Sequence, residues 1–288
     1  MNEKAKIKPT IASYISLLKP GIIAGNILPT LAAFFIASSY KVDLYLLLFT
    51  LFGTFCVIGS ACVMNNCIDV DLDSKMERTK SRPLVTGELS IAEAYTFGAI
   101  VAAIGFSTLA LTTNQVAVNV AATGFVVYVF LYSFLKYVTT YSTHIGAVAG
   151  AIPPVIGYTA VTGYIDWIAF SFFMAMAAWQ MPHFFAIALR RLGDYRSGNI
   201  PVFPLVRGTL LTKAQILLYI IPFGYFSLQL HPSPYYQICM ACVTLGWVYL
   251  AATGFTSKNT ASWARSVFLY SLIAVMVLNL SLCIAAVL

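Results

Sequence analysis

Charged side chains are scarce in this chain: Asp, Glu, Lys and Arg make up 9% of its 288 residues, whereas 60% are hydrophobic. A soluble domain of this length usually carries about 25% charged residues. The shortage excludes an ordinary water-soluble domain. The excess of apolar side chains indicates a protein that spans a membrane.

Cysteine is also used sparingly, and its six residues lie mostly within apolar runs. Cys239 and Cys242 have the CxxC spacing of redox and zinc sites. Their segment contains no basic residue that would stabilise a thiolate. We therefore interpret these cysteines as small packing residues and expect no disulfide framework.

Long apolar runs, in contrast, are frequent. A spanning helix needs about 20 mostly apolar residues, and continuous runs favour helices over the alternating strands of a membrane barrel. We predict an all-α polytopic membrane protein that forms a single domain over 1–288, with a flexible N-terminus over 1–14. The nine predicted spans are 22–39, 44–64, 91–111, 116–135, 143–163, 167–188, 214–231, 235–255 and 266–287.

The basic residues predict the orientation of these spans. With nine spans and the N-terminus inside, sixteen of the 17 Lys and Arg residues fall on one side and only Lys41 falls on the other. The positive-inside rule places the crowded side in the cytoplasm. The net charge of +7 is thus a topology signal, and we expect a lipid bilayer rather than nucleic acid as the partner.

The segment 65–84, "NNCIDVDLDSKMERTKSRPL", concentrates charge directly after the second span. If that helix continues through residue 73, then Asn65, Asp69 and Asp73 lie one turn apart on one face, with Asp71 pointing away. Stacked carboxylates repel each other unless a cation lies between them. Oxygen ligands of this kind fit Mg²⁺, which shares its shell with substrate phosphates.

Basic residues follow the carboxylates at once. Arg78, Lys80 and Arg82 would supply positive charge, and a guanidinium can hold phosphate oxygens through two parallel hydrogen bonds. Together the groups predict a site for a molecule with a diphosphate head and an apolar tail. The plainer interpretation is a solvated loop whose basic residues serve only topology.

The same segment resembles the first signature of the UbiA-type intramembrane prenyltransferases, in which an Asn is followed by Asp residues four and eight positions later and then by Arg-Thr and Arg-Pro-Leu. The resemblance extends to "LLKPGIIAGN", "GAVAGAIPPVIGYTAVTG" and "WQMPHFFAIALRRLGDYRSGNIPVFPLVRG". It covers roughly residues 15–215 with specific motifs. The last motif is similar to that of the haem-modifying branch, the haem O synthases, rather than to quinone-making relatives.

The resemblance implies nine helices around a central cavity open to lipid, a bacterial cytoplasmic membrane location and a Mg²⁺ requirement. It also implies transfer of the farnesyl group of farnesyl diphosphate to a vinyl group of haem B, with addition of water. Transient contact with haem-handling or terminal-oxidase assembly proteins is a further expectation. The expected metal ligands are Asn65, Asp69, Asp73 and Asp194; the expected diphosphate contacts are Asn66, Arg78, Lys80, Arg82 and Lys136.

We expect direct catalytic roles for Asp69, Asp73, Arg78 and Asp194. Aromatic rings could shield the allyl cation, and the candidates are Phe184, Phe185 and Tyr195.

His183 is the most informative single residue on the haem side. An ionisable group inside a membrane indicates function, and neutral imidazole binds haem iron. We predict that His183 contacts haem and ligates its iron, although a packed polar side chain is the plainer interpretation. Tyr195, Arg190 and Arg191 are the other expected haem contacts, the arginines through the propionates.

Three departures from the family pattern matter. Asn66 stands where many relatives carry Asp, and the loop after the sixth span offers a single acid, Asp194, where relatives show an acid-rich signature. A second metal site is therefore less secure than the first. Where haem-modifying relatives show Lys-Arg, this chain has Lys136-Tyr137.

Two alternative functions stay open. A prenyltransferase with another acceptor, such as a quinone precursor, would share the diphosphate site. A membrane transporter would place its ionisable groups near the bilayer midplane. Most charges here gather at the cytoplasmic ends of the predicted helices, which counts against transport.

Overall fold

The computed structural model describes residues 9–39 and 41–285. Within these residues, nine helices are long and apolar enough to cross a membrane, so the predicted all-α polytopic fold is confirmed. The helices are α1 (Ile11–Leu17), α2 (Pro20–Ser38), α3 (Leu44–Ile68), α4 (Val70–Lys75), α5 (Pro83–Thr86), α6 (Ile91–Thr112), α7 (Gln115–Leu135), α8 (Ser142–Thr162), α9 (Trp167–Arg190), α10 (Leu192–Ser197), α11 (Phe203–Arg207), α12 (Thr209–Leu228), α13 (Pro234–Phe255) and α14 (Thr260–Ala285).

Each predicted span corresponds to one of the nine long helices. The largest differences are at the starts of α12 and α14, which begin at Thr209 and Thr260 instead of 214 and 266. Lys213 interrupts the apolar run but not α12, because its ammonium donates a 2.7 Å hydrogen bond to the Gly254 carbonyl and lies 5.4 Å from the centroid of the Trp263 ring. A basic residue that finds such partners can continue a helix past its apolar stretch.

Of the N-terminus predicted to be flexible over 1–14, the structure describes residues 9–14. Residues 1–8 lie outside the described part of the chain, and α1 begins at Ile11. Thr10 caps this helix, since its hydroxyl accepts a hydrogen bond from the Ser13 backbone N–H while the Ser13 hydroxyl accepts one from the Thr10 N–H at 3.0 Å. This reciprocal cap satisfies two backbone donors that would otherwise lack partners.

Two glycines allow pairs of spanning helices to approach closely. A Cβ on Gly105 of α6 would lie 2.9 Å from the Val57 backbone nitrogen of α3, and one on Gly157 of α8 would lie 2.2 Å from the Thr30 carbonyl oxygen of α2. Small residues drive helix association in membranes because they allow backbones to meet. These contacts fix α3 and α8 against their neighbours, and so position the end of α3.

Large aromatic side chains fill the core of the bundle on the side of α9, α12, α13 and α14. The largest fully buried ones in this part of the core are Trp247, Tyr236, Phe172, Phe185 and Phe223. A smaller cluster of Leu17, Val63, Leu84 and Leu89 fixes α1 and the segment after α5 to α3.

The short helices α1, α4, α5, α10 and α11 all lie at one end of the bundle. Spanning helices alternate in direction, so the connections after α3, α7, α9 and α13 meet at that end together with α1. These connections contain almost all of the predicted diphosphate and metal residues. We call this the charged end of the bundle.

Candidate active site

The joint between α3 and α4 presents three oxygen-bearing side chains on one face. α3 ends at Ile68, but the Asp69 N–H bonds to the Asn65 carbonyl at 3.0 Å and the Asp73 N–H to the Asp69 carbonyl at 2.8 Å. The helical register therefore continues through the joint. Asn65 is 3% exposed and both aspartates are 4% exposed, whereas Asp71 is exposed on the opposite side.

Asp69 is held by two residues that follow α7. Its carboxylate forms an ion pair with Lys136 and accepts a 2.9 Å hydrogen bond from the Tyr137 hydroxyl. Burial lowers the pKa of the Lys136 ammonium, and the Asp69 carboxylate opposes that shift. Burial and the same carboxylate raise the pKa of the Tyr137 phenol. Tyr137 thus remains a donor, and the departure from Lys-Arg replaces a second cation with a hydrogen bond.

A π-helical turn in α7 brings further groups to the same face. Over Val127–Tyr132 the helix widens, so that the Ser133 N–H bonds to the Tyr128 carbonyl five residues earlier. The Ser133 hydroxyl accepts a 2.9 Å hydrogen bond from the Asn65 amide. Such turns occur often at functional sites, because they shift the face that the following residues present.

Arg82 holds the second carboxylate. Its guanidinium forms an ion pair with Asp73 and donates a 3.1 Å hydrogen bond to the Asn66 side-chain oxygen. The Thr79 hydroxyl donates to the Asp73 backbone carbonyl at 3.0 Å and closes the turn between them. Asn66 in turn donates to the Leu17 carbonyl at 2.9 Å. Both polar atoms of Asn66 thus have protein partners.

Lys19 is a member of the cluster that the sequence analysis missed. It lies between α1 and α2 with a left-handed backbone (φ 55°), and its ammonium donates a 2.7 Å hydrogen bond to the Asn65 side-chain oxygen. Burial lowers its pKa to about 8. A lone lysine directly before a Pro that opens a spanning helix was the available signal. The same lysine lies in the motif "LLKPGIIAGN" and adds to the positive charge on the predicted cytoplasmic side.

We call Asn65, Asp69, Asp73, Lys19, Lys136 and Arg82 the carboxylate cluster. Its oxygen donors are two carboxylates and an amide, and no group of three or more His, Cys, Asp or Glu able to hold a metal occurs in 9–39 or 41–285. This set fits Mg²⁺, which typically takes one or two carboxylates and completes its shell with water and substrate phosphates. The three cations beside it fit a phosphate-bearing ligand.

Arg78 and Lys80 lie outside the cluster. Both are exposed, and Lys80 forms a 2.6 Å ion pair with Glu77, which is itself mostly exposed. An exposed pair of this kind contributes little. Arg78 is close enough to Tyr195 for its charge to oppose the burial that raises the pKa of that phenol. Arg78 thus acts electrostatically on a residue of the segment between α9 and α12, which we call the second loop, whereas Lys80 pairs within the segment between α3 and α6, the first loop.

The loop after α9 carries a much looser set of charges. Asp194 lies on α10 and pairs with Arg191, one turn away, at 3.4 Å. The Arg190 guanidinium lies 5.0 Å from the centroid of the Phe268 ring. No residue of α10 is buried. The structure does not bring Asp194 into contact with either Asp69 or Asp73.

The two loops nevertheless touch each other. Leu72 and Met76 pack with Ile200 and Val202 in a small apolar cluster that Tyr195 borders. The Ser197 hydroxyl also donates to the Lys75 carbonyl at 3.3 Å. The second loop thus covers α4, and α4 carries Asp73.

His183 lies on the half-exposed face of α9, together with Phe173, Ala177 and Phe184. Its Nδ1 shares a 2.7 Å hydrogen bond with the Ser271 hydroxyl of α14. Its ring stacks on Trp179, with 4.9 Å between centroids. Nε2 has no hydrogen-bond partner in the described residues, and is therefore the nitrogen that a ligand could reach.

Phe185, a candidate to shield the allyl cation, and His144, a histidine of α8, pack against neighbouring helices. Phe185 is 1% exposed and contacts Phe203 and Tyr219. His144 donates to or accepts from the Tyr219 hydroxyl at 3.0 Å. Both therefore lie between α8, α9 and α12, away from the half-exposed face of α9.

The chain is similar to known proteins in sequence and in fold. A model of the UbiA prenyltransferase family matches residues 26–273. A relative from Shewanella frigidimarina, named protoheme IX farnesyltransferase 1, is 41% identical over 284 residues, which cover 96% of this chain and 94% of the relative.

Two solved structures share the fold. One, described as digeranylgeranylglyceryl phosphate synthase, has a TM-score of 0.80 at 18% identity and covers 96% of this chain and 98% of its own. The other, a UbiA homologue from Archaeoglobus fulgidus bound to DMAPP and Mg²⁺, has a TM-score of 0.67 at 14% identity, covering 96% and 99%. The family model spans most of the sequence and a relative above 40% identity covers nearly all of it; the chain belongs to the UbiA prenyltransferase family.

Proposed function

We propose that this chain transfers the farnesyl group of farnesyl diphosphate to a vinyl group of haem B and adds water, giving haem O. The observation that carries the proposal is the carboxylate cluster: two buried aspartates on one helical face, surrounded by three cations, at the charged end of a membrane bundle. The relative from Shewanella frigidimarina, similar over nearly the whole chain, supports haem as the acceptor.

Asp69 and Asp73 would hold Mg²⁺, with the Asn65 amide oxygen as a third ligand. When bound, the metal would neutralise charge on the diphosphate leaving group. Lys136, Arg82 and Lys19 lie beside these oxygens and would bind phosphate oxygens by charge-assisted hydrogen bonds. These groups matter most in the transition state, where negative charge grows on the diphosphate.

The reaction balances as follows. The C1–O bond of farnesyl diphosphate breaks and its electron pair leaves with the diphosphate. The vinyl π electrons of haem B then form the new carbon–carbon bond, which leaves a cation next to the porphyrin. Water adds to that cation and loses a proton. The net result is a hydroxyethylfarnesyl chain and inorganic diphosphate.

Aromatic side chains between the cluster and the bundle interior would shield the allyl cation from water. Tyr128 and Tyr132 stack in the π-helical turn with 5.3 Å between centroids. Phe184 lies on the half-exposed face of α9 and remains a candidate from the sequence. Phe185 would not take this role, because its ring is buried and packs against Phe203, away from that face.

Haem would bind along the half-exposed face of α9. His183 Nε2 would ligate the iron, while the bond from Nδ1 to Ser271 fixes the ring orientation, as in many haem and metal sites. Arg190, Arg191 and Tyr195 lie at the charged end, where the haem propionates would reach water. Asp194 would act from the second loop as an outer partner of the diphosphate site.

We also infer that the protein lies in a bacterial cytoplasmic membrane with its N-terminus inside. The distribution of basic residues supports this orientation. The charged end of the bundle would then face the cytoplasm, where water hydrates the diphosphate head group of farnesyl diphosphate. Contact with haem-handling or terminal-oxidase assembly proteins would pass the product on.

The test is mass spectrometry of the porphyrin formed by purified protein with haem B, farnesyl diphosphate and Mg²⁺. We expect haem O with the metal and none after chelation, with Asp69→Asn as the inactive control. If diphosphate release requires a quinone precursor instead of haem, the acceptor is the quinone precursor and not haem B. Absence of diphosphate release with either acceptor would overturn the prenyltransferase assignment for this chain.

A further inference from the structure

A polar cavity of about 380 Å³ lies beneath α1, at the charged end of the bundle. Its polar lining comes from α1, from the end of α3 and from the segment between α4 and α6: Ser13, Ser16, Asn66, Ser81, Arg82 and Glu88. We call it the α1 cavity. Its volume falls within the range of small-ligand sites.

The α1 cavity adjoins the carboxylate cluster through two shared residues. Arg82 lines the cavity and pairs with Asp73, while Asn66 lines it and accepts a 3.1 Å hydrogen bond from Arg82. A second cavity of about 320 Å³ at the same end is lined by Tyr195, Asn199 and Ile200, and contains no member of the cluster. Of these two cavities, the α1 cavity is therefore the one that reaches the predicted diphosphate position.

Two polar contacts hold α1 over this cavity. The Asn66 amide donates to the Leu17 carbonyl at 2.9 Å, and the Ser13 hydroxyl donates to the Glu88 carboxylate. The outer face of α1 carries Ile11 and Ile15, which are 80% and 49% exposed. The cavity lining thus includes the polar Ser13 and Ser16 of α1, whereas the exposed isoleucines Ile11 and Ile15 do not line it.

The chemistry of the reaction requires such a route. Inorganic diphosphate carries several negative charges, and a charged group inside the bilayer is costly. The product therefore has to leave toward water. Arg82 offers a positive charge beside the carboxylate cluster and Glu88 a negative charge in the same cavity lining, so that the anion is attracted to the cavity but not held tightly.

We propose that the α1 cavity is the binding site through which inorganic diphosphate leaves the carboxylate cluster. Arg82 contacts the anion, Asn66 positions Arg82, and α1 forms the wall of the route. The inference rests on the proposed function, because it needs a reaction that releases diphosphate.

The first test blocks the cavity. Ser16→Cys, labelled with a bulky maleimide, is compared with unlabelled Ser16→Cys and with Ile15→Cys, whose label lies on the outer face of α1. We expect the labelled Ser16→Cys protein to form its first equivalent of farnesylated haem at the normal rate in rapid quench. Its steady-state turnover should fall at least about fivefold, because product release becomes rate-limiting. Equal slowing of the first turnover, or no slowing at all, overturns the proposal.

The second test measures binding without turnover. Inorganic diphosphate with Mg²⁺ should slow the reaction of the Ser16→Cys thiol with a charged methanethiosulfonate, and leave Ile15→Cys unaffected. No protection overturns the exit site. Should wild-type protein form no prenylated product, the proposed function fails, but this protection assay still decides whether the cavity binds diphosphate.

A third variant tests the negative charge of Glu88 in the cavity lining. Glu88→Gln keeps an acceptor for the Ser13 hydroxyl and removes one negative charge. We expect inorganic diphosphate to inhibit this variant about two- to fivefold more strongly, as for the loss of one partly solvated charge. Glu77→Gln is the matched control, because Glu77 is exposed and does not line the cavity. Equal inhibition of both variants contradicts the role of Glu88.

Discussion

The first loop, after α3, and the second loop, after α9, both lie at the charged end of the bundle. The first loop contains buried, paired carboxylates, whereas the carboxylate of the second loop forms a more exposed pair. Asp69 and Asp73 are each 4% exposed and are each paired with a cation: Asp69 with Lys136, 67 residues away in sequence, and Asp73 with Arg82, nine residues away. Asp194 pairs only with its neighbour Arg191, and the side chain of that arginine is 45% exposed. A buried carboxylate requires a partner, whereas an exposed one does not. Burial therefore distinguishes Asp69 and Asp73 from Asp194.

The largest expected effect is the loss of a carboxylate from the first loop. Asp69→Asn or Asp73→Asn should lower turnover on the order of 10³-fold, because the metal and the leaving group lose a charged ligand. The measurement is steady-state haem O formation, with size-exclusion chromatography as the control for folding. Near-normal activity in both variants would remove the metal assignment.

Lys136→Met should lower turnover by about 10²-fold and also lower the unfolding midpoint. The substitution leaves the buried Asp69 carboxylate without its cation, which costs about 3 kcal/mol. A double-mutant cycle with Asp69→Asn measures the coupling. The stability loss in the double variant should be smaller than the sum of the single losses, and full additivity contradicts the ion pair.

On α9, which precedes the second loop, His183→Ala should weaken haem binding about tenfold and shift the Soret band of the bound haem. The affinity for a farnesyl diphosphate analogue should stay the same, since the cluster is formed by other elements. Ser271→Ala is the partner variant, because it frees the ring without removing Nε2. An unchanged spectrum in His183→Ala would show that this histidine is a packing residue.

Arg78→Ala and Lys80→Ala form a matched pair within the first loop. Burial raises the pKa of the Tyr195 phenol and the charge of Arg78 lowers it, whereas Lys80 pairs with the exposed Glu77. We expect Arg78→Ala to raise KM for farnesyl diphosphate about fivefold and Lys80→Ala to change it by less than about twofold. The same KM change in both would mean that only net charge matters at this surface.

The smallest effect is expected for the second loop. Asp194→Asn should reduce turnover about threefold, since the carboxylate is partly solvated and forms a weak pair. The kinetics should be compared with those of Asp73→Asn at saturating Mg²⁺. A loss as large as that of Asp73→Asn would mean that the second loop closes onto the site during turnover.

Much of the first loop could be predicted from the sequence because it depends on local spacing. Residues at intervals of four share a helical face whatever surrounds them. The common orientation of Asn65, Asp69 and Asp73 could therefore be predicted from the amino-acid sequence alone. The partners of these residues are not local. Lys19 and Lys136 reach the cluster from elements 46 and 67 residues away in sequence, and no periodicity relates them to it.

In the second loop, a motif does not by itself give the geometry of its residues. The resemblance assigned metal binding to Asp194, but the structure places that residue beside Arg191 and in contact with neither aspartate of the cluster. Phe184 and Phe185 are adjacent in sequence, yet the first lies on the half-exposed face of α9 and the second is packed against Phe203. Which of two neighbours faces a ligand depends on how the helix packs.

The sequence by itself determined the membrane class, the nine spans, the side that gathers the charge and the face shared by the two aspartates. Each of these depends on composition or on short intervals, and hydrophobicity and helical geometry act locally. Only the tertiary structure decided which cations neutralise the aspartates, that Asn66 is committed to Leu17 and Arg82, and that α1 covers a polar cavity. These features arise where separate helices meet. A charge that is buried there is strongly destabilising unless it has a partner, and the partner depends on how the helices pack.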